Sequence, residues 1–285
     1  MARFVTANGL RFAYRVTGDG PLALLLHGFP DTPATWRHLA PRLADAGFRV
    51  VTPWMRGYAP TSVPDDGAFD GATLAADANR LHDVLGGDDD AVLVGHDWGA
   101  HAAYAAAHAA PGRWRRVVTL AVPPEPALEG LLTAPRQIRR SWYMLAAQLP
   151  WERWAPQRAL ARIEDLWRDW SPGYQPTAED LDPLRASLRA PGGLAAALGY
   201  YRAMRERALR GDRPGEGGPV PTQPTLYLHG DDDGCMGPEW VGPADAVLRT
   251  ANPASRATLL PGVGHFLHLE DPDRVGECVV RWVSD

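Results

Sequence analysis

Strand-length apolar runs recur over residues 22–26, 48–52, 91–94 and 117–121, and between them lie segments of helical period over 35–46, 73–85 and 98–110. Alternation of this kind predicts a mostly parallel sheet covered by helices on both faces. Ahead of it, the stretches 3–6 and 10–16 flank Asn8-Gly9, the dipeptide that best signals a two-residue hairpin. From Pro123 the alternation stops. The stretch 123–218, rich in tryptophan, arginine and proline, reads as several helices without a strand, and its end at 211–218 reads as a connector. Strands over 225–228 and 257–260 and a closing helix over 274–283 restore the earlier pattern. The expected architecture is an α/β core from 1–122 and 219–285, with 123–218 inserted as a helical lid. An insertion between strands at the carboxyl edge of such a sheet stands over the place where open α/β sheets bind ligands.

The chain of 285 residues is 45% hydrophobic and 22% charged, enough for a large core and a subdomain. A net charge of −5 argues against nucleic acid or an acidic membrane as the main partner. Two cysteines, Cys235 and Cys278, make no disulfide framework and have no metal-ligand spacing, which points to a reducing compartment. The first residues lack a long apolar stretch, and the run 22–26 is too short to span a bilayer, so a cytoplasmic location is expected.

Candidate chemistry begins at Gly95-His96-Asp97-Trp98-Gly99, between an apolar run and a small-residue helix. Glycines two residues either side of a central residue permit the sharp strand-to-helix turn that lifts its side chain above a sheet edge. Serine at the centre would attack carbonyl carbon. The carboxylate of Asp97 would instead attack saturated carbon, displacing an alkoxide or a halide and leaving an alkyl ester. Taken alone, the pentapeptide is equally a turn with Asp97 as helix N-cap. Downstream, the strand at 225–228 runs into Asp231-Asp232-Asp233, and the strand at 257–260 is followed by Gly264-His265. Nucleophile, acid and histidine thus arrive in the chain order of an α/β-hydrolase triad.

These residues resemble the α/β-hydrolase superfamily over essentially the whole chain, and within it the soluble epoxide hydrolases. His27-Gly28-Phe29-Pro30 is similar to their His-Gly-x-Pro loop, Arg56-Gly57-Tyr58 to their Arg-Gly-Tyr segment, and Gly95–Gly99 and Gly264-His265 to their elbow and histidine loop. The resemblance implies Asp97 as nucleophile, His265 as base, Asp233 as its acid, and backbone amides of Phe29 and Trp98 as an oxyanion hole. Glu125 is the fallback acid, since some relatives carry theirs after the preceding strand. His27 is expected near the substrate.

Family members usually place two lid tyrosines as proton donors to the epoxide oxygen. The segment Gly199-Tyr200-Tyr201-Arg202 resembles the one that carries the first and selects Tyr201. The second would fall at Ala146, which cannot donate. Tyr143, three residues earlier and so on nearly the same helix face, is the replacement, with the Trp142 indole as a weaker candidate. The expected substrate is a small apolar epoxide, with no cofactor or metal and with the protein a monomer or homodimer. Haloalkane dehalogenation through the same Asp97 is the main alternative, although many such enzymes supply an asparagine where this chain has Phe29. A ligand-binding relative with little turnover is the second.

Overall fold

The computed structural model describes residues 2–211 and 217–285, so most of the connector expected at 211–218 lies outside the described residues. Eight strands, β1 (Arg3–Ala7), β2 (Leu10–Thr17), β3 (Leu22–Leu26), β4 (Arg49–Pro53), β5 (Val92–His96), β6 (Arg116–Leu120), β7 (Thr225–Gly230) and β8 (Arg256–Leu260), join in one sheet. Their spatial order is β1-β2-β4-β3-β5-β6-β7-β8. β2 runs antiparallel to β1 and β4, and all later neighbours are parallel. Asn8 and Gly9 both take positive φ, 45° and 77°, and close the hairpin in which Ala7 faces Leu10.

The central strands read as continuous apolar runs because helices cover both faces: every residue of β3 and of β5 is buried. On one side stand α1 (Leu39–Asp45) and the terminal α12 (Pro272–Ser284); α2 (Gly71–Val84) and α3 (Trp98–Ala109) pack together elsewhere on the core. The Asp70 carboxylate caps α2 by accepting from the amides of Ala72 and Thr73 at 3.0 and 3.1 Å.

The helix expected over 35–46 is instead two pieces, a 3₁₀ turn at Pro33–Arg37 followed by α1. Thr32 caps the turn through Ala34, and Thr35 and Trp36 point inward, both essentially buried. Pro41, in the first turn of α1, has no N–H to give the Arg37 carbonyl and would crowd it in one continuous helix.

Between β6 and β7 run α4 (Pro135–Arg140), α5 (Trp142–Ala146), α6 (Trp151–Trp154), α7 (Pro156–Trp170), α8 (Ala178–Arg189) and α9 (Gly193–Leu209), with no strand among the described residues. α7 buries Leu160, Ile163, Leu166, Trp167 and Trp170 at helical spacing. Its opposite face carries arginines, and Arg185 of α8 meets Glu164 at 2.7 Å. The remaining helices are α10 (Val241–Ala251) and the short α11 (Leu267–Glu270). No helix among the described residues is long and apolar enough to cross a membrane.

Candidate active site

β5 ends at His96 and α3 begins at Trp98, so Asp97 alone makes the turn, with φ 53° and ψ −118°. Such a backbone costs a non-glycine residue about 1–3 kcal/mol and persists only where its surroundings hold it. The flanking glycines make room for it: a Cβ on Gly95 would stand 2.1 Å from the Gly99 carbonyl oxygen, and one on Gly99 2.0 Å from that of Leu26. The Asp97 side chain rises from this turn into the loop after β3. Its Oδ1 accepts from the Phe29 amide at 2.7 Å, and the neighbouring Trp98 amide also favours the ionised carboxylate.

His265 follows β8. Its backbone amide donates to the Trp170 carbonyl at 3.0 Å, so the last residue of α7 holds the histidine loop. His265 Nδ1 lies 2.9 Å from Asp233 Oδ2, and the other Asp233 oxygen accepts the amides of Cys235 and Met236 at 2.6 and 3.0 Å. Two amides hold this carboxylate in position, and its other oxygen accepts from His265 Nδ1–H, which leaves Nε2 as a lone pair. Nε2 has no hydrogen-bond partner among the described residues and faces Asp97 Oδ2 at 3.7 Å.

Burial pushes the Asp97 carboxyl up to about 6, against the opposing influence of His265 and of the two amides. Burial would lower the His265 imidazole, but the charge and hydrogen bond of Asp233, with Asp97 behind them, outweigh it and raise the group above its usual value.

Asp231 accepts the Gly262 amide at 2.7 Å, and Asp232 is exposed, so neither approaches the histidine. Glu125 pairs with Arg207 at 2.9 Å. His27, fully buried, uses both ring nitrogens locally: Nε2 accepts the Met55 amide at 3.0 Å and Nδ1 donates to the Gly28 carbonyl at 2.9 Å. Burial lowers its pKa to about 4, and neutral His27 braces the β3 loop against the loop after β4.

Above Asp97 stand two phenols from the helical insertion. Tyr200 donates to the Arg56 carbonyl at 2.8 Å, whereas the buried Tyr201 hydroxyl makes no ordinary hydrogen bond among the described residues. The Tyr201 ring meets Phe29 and Trp98 edge-on, with centroids 5.1 and 5.4 Å apart. Tyr143 of α5 lies edge-on to Tyr201 at 5.5 Å and to Trp170 at 4.8 Å, and its hydroxyl is 3.3 Å from Cys235 Sγ. Burial raises both phenols well above 10; Asp97 adds to this at Tyr201, and Cys235 and then Tyr201 do so at Tyr143.

Trp142 lies at the outer side of Tyr143. It is 37% exposed with the Arg162 guanidinium 4.9 Å over its ring, because α5 turns Tyr143 inward and the preceding position outward. Its ring also stands edge-on to Tyr143, with centroids 6.5 Å apart. Ala146 faces Trp151, whose indole donates to its carbonyl at 2.9 Å.

Cys235 was read from the sequence only as an unpaired thiol, yet its Sγ lies within 4.8 Å of ligand atoms of Asp97 and His265. Its place two residues after Asp233 in one tight turn was the available signal. Trp170, whose carbonyl carries the histidine loop and whose ring meets His265 at 4.8 Å, left none.

Residues 21–272 match the family described as the alpha/beta hydrolase fold. The chain is 31% identical to an epoxide hydrolase of Caballeronia sordidicola over 98% of this chain and 92% of that one. It is 30% identical to epoxide hydrolase A of Mycobacterium tuberculosis over 99% of this chain and 97% of that one. Among solved structures, epoxide hydrolase A from Mycobacterium thermoresistibile superposes with TM-score 0.78 at 28% identity, covering 99% of this chain and 97% of the other. A Bacillus megaterium epoxide hydrolase in complex with an inhibitor gives TM-score 0.83 at 25% identity over 99% and 100%. The sheet order, the turn at Asp97 and these full-length likenesses together make the chain a member of the α/β-hydrolase family, a hydrolase of epoxide-hydrolase-like type.

Proposed function

We propose that this enzyme opens epoxides to vicinal diols in two steps through an alkyl ester of Asp97. The observation that carries the reading is the position of Asp97: one oxygen is held by the Phe29 amide at 2.7 Å while the other faces the lone pair of His265 at 3.7 Å. The carboxylate is thus divided between an oxygen that is held and one free to attack.

In the first step Asp97 Oδ2 forms a bond to an epoxide carbon, the carbon–oxygen bond of the ring breaks, and its electron pair stays on the ring oxygen. Tyr201 donates a proton or a strong hydrogen bond to that oxygen, with Tyr143 beside it; a phenol kept protonated by burial suits the task. In the second step His265 Nε2 removes a proton from water, which adds to the Asp97 carbonyl carbon. The oxyanion forms at Oδ1, against the amides of Phe29 and Trp98, each worth about 3 kcal/mol in comparable chemistry. The tetrahedral species collapses by breaking the carbonyl carbon–Oδ2 bond; the imidazolium, stabilised by Asp233, gives its proton to the leaving oxygen, and the regenerated Asp97 carboxyl sheds the remaining proton to restore that of Tyr201.

The helical insertion acts as the lid of this site. Asp97 is 5% exposed and Tyr201 3%, so a substrate enters only when helices α5 and α9 part from the core. The rings of Phe29, Tyr143, Trp170 and Tyr201 favour an apolar epoxide. Styrene-type, terminal and fused-ring epoxides are to be assayed beside bromoalkanes, scoring diol against halide. Diol from one or more epoxides, with little halide, is expected. Halide without diol assigns dehalogenation, and binding of epoxides without turnover assigns the ligand-binding alternative.

A further inference from the structure

Beside the candidate triad, Asp31, His96 and His268 converge in the core, each at most 1% exposed. One nitrogen or oxygen from each lies within 4.8 Å of the others. The hydrogen bond of His96 fixes its tautomer. His96 Nε2 donates to the His265 carbonyl at 3.0 Å, since a carbonyl can only accept, so His96 Nδ1 is a lone pair. Thr35 Oγ1 meets His268 Nε2, and with His268 Nε2–H as the donor, His268 Nδ1 is likewise a lone pair. Asp31 Oδ1 takes the Thr32 amide at 2.6 Å.

That leaves His96 Nδ1, His268 Nδ1 and Asp31 Oδ2, which have no hydrogen-bond partner among the described residues. An unpaired polar group in a dry interior is costly. Burial raises the Asp31 carboxyl to about 8, and a bound divalent cation would displace its proton. Two neutral imidazoles and a carboxylate form a donor set for a borderline divalent cation of the zinc type. The outer contacts also fit: each imidazole gives its far N–H to an oxygen, which is how metal-bound histidines are usually oriented. The nearest cationic side chain, Arg37, is ion-paired with Asp180 at 2.8 Å.

We propose that Asp31, His96 and His268 form a structural site for a divalent cation of zinc type. Its ligands come from the three segments that carry the proposed chemistry. Asp31 lies two residues past the Phe29 amide, His96 adjoins Asp97, and His268 lies three residues past His265. The ion clamps these segments and touches no reacting atom, so the site is independent of which substrate the enzyme takes.

Because the ligands are buried, the ion enters as the chain folds. The test is therefore made on full-length protein produced in Co²⁺-supplemented medium, and separately with Zn²⁺. The result expected is one ion per chain by elemental analysis, visible d–d absorption from nitrogen and oxygen ligands without a near-ultraviolet thiolate band, and a melting temperature about 5 °C or more above that of metal-free protein. His268→Gln should lower the metal content about tenfold, while Cys235→Ser leaves it unchanged. The Co²⁺ spectrum of the unaltered protein decides the matter even if His268→Gln does not fold. Protein that holds no ion under these conditions would overturn the proposal and leave the three atoms to water. So would an ion that shows a thiolate band and is lost in Cys235→Ser, which would place it on Asp97, Cys235 and His265.

Discussion

The loops at the sheet edge and the helices above them hold their side chains in different ways. In the loops, backbone atoms fix each polar group. Asp97 sits on a turn with φ 53°, Phe29 supplies its amide at 2.7 Å, and Asp233 is pinned by two amides while it faces His265. In the helices, rings and surface ion pairs set the positions. Tyr143 and Tyr201 rest edge-on against each other and against Trp170, Phe29 and Trp98, and α9 is tied to α6 by Arg202 and Glu152 at 2.8 Å. Partly exposed ion pairs of that kind contribute only about 0–1 kcal/mol. The lower layer is therefore preorganised for charge, and the upper one is placed mainly by packed rings.

If that contrast is sound, substitutions below should act in an all-or-none fashion and those above in a graded one. The largest effect is expected at Asp233. Asp233→Asn should cut ester hydrolysis by about 10⁴-fold, by allowing the wrong His265 tautomer. Asp231→Asn and Asp232→Asn should stay within a few-fold, because one only braces Gly262 and the other is exposed. Equal losses at all three, read by steady-state diol formation, would break the account of the loop.

The phenols come next. His265→Gln should stop at the alkyl-enzyme, visible by intact-mass analysis as the mass of one whole epoxide. In that background Tyr201→Phe should slow adduct formation by roughly 10²–10⁴-fold. Tyr143→Phe should slow it less, since the Tyr143 hydroxyl is engaged with Cys235 at 3.3 Å. A larger effect at Tyr143 than at Tyr201 would exchange their roles.

The smallest effect is one of pH. Alkylation needs ionised Asp97, whose carboxyl burial raises to about 6. The rate of adduct formation in a stopped-flow or quenched single turnover should fall about tenfold per unit below pH 6 and stay level above pH 7. It should show no alkaline loss before pH 10, because burial keeps Tyr201 protonated beyond its ordinary range. An alkaline limb near pH 9 would mean that the donor is more exposed than this structure places it.

The same contrast explains what could be read in the sequence. The sheet was legible because each buried parallel strand needs an unbroken apolar run, and the Asp97 turn because only glycine fits at Gly95 and Gly99. The break between Pro33–Arg37 and α1 was passed over, although Pro41, which cannot donate to the Arg37 carbonyl, marks it. In the insertion the helices were legible as a group but not their orientation. Which of Trp142 and Tyr143 faces inward depends on Trp170 and Cys235, far away in the chain. Asp31, His96 and His268 also come from three separate segments and had no spacing to betray them.

The central claim is that Asp97 bonds covalently to substrate, and a single turnover in heavy-oxygen water tests it most directly. With enzyme in excess over epoxide, the label should appear in the carboxylate of Asp97, located by peptide mass spectrometry, and the diol should carry only unlabelled oxygen. Label in the diol of that first turnover, with Asp97 unlabelled, would mean that water attacks the epoxide directly and would contradict the account.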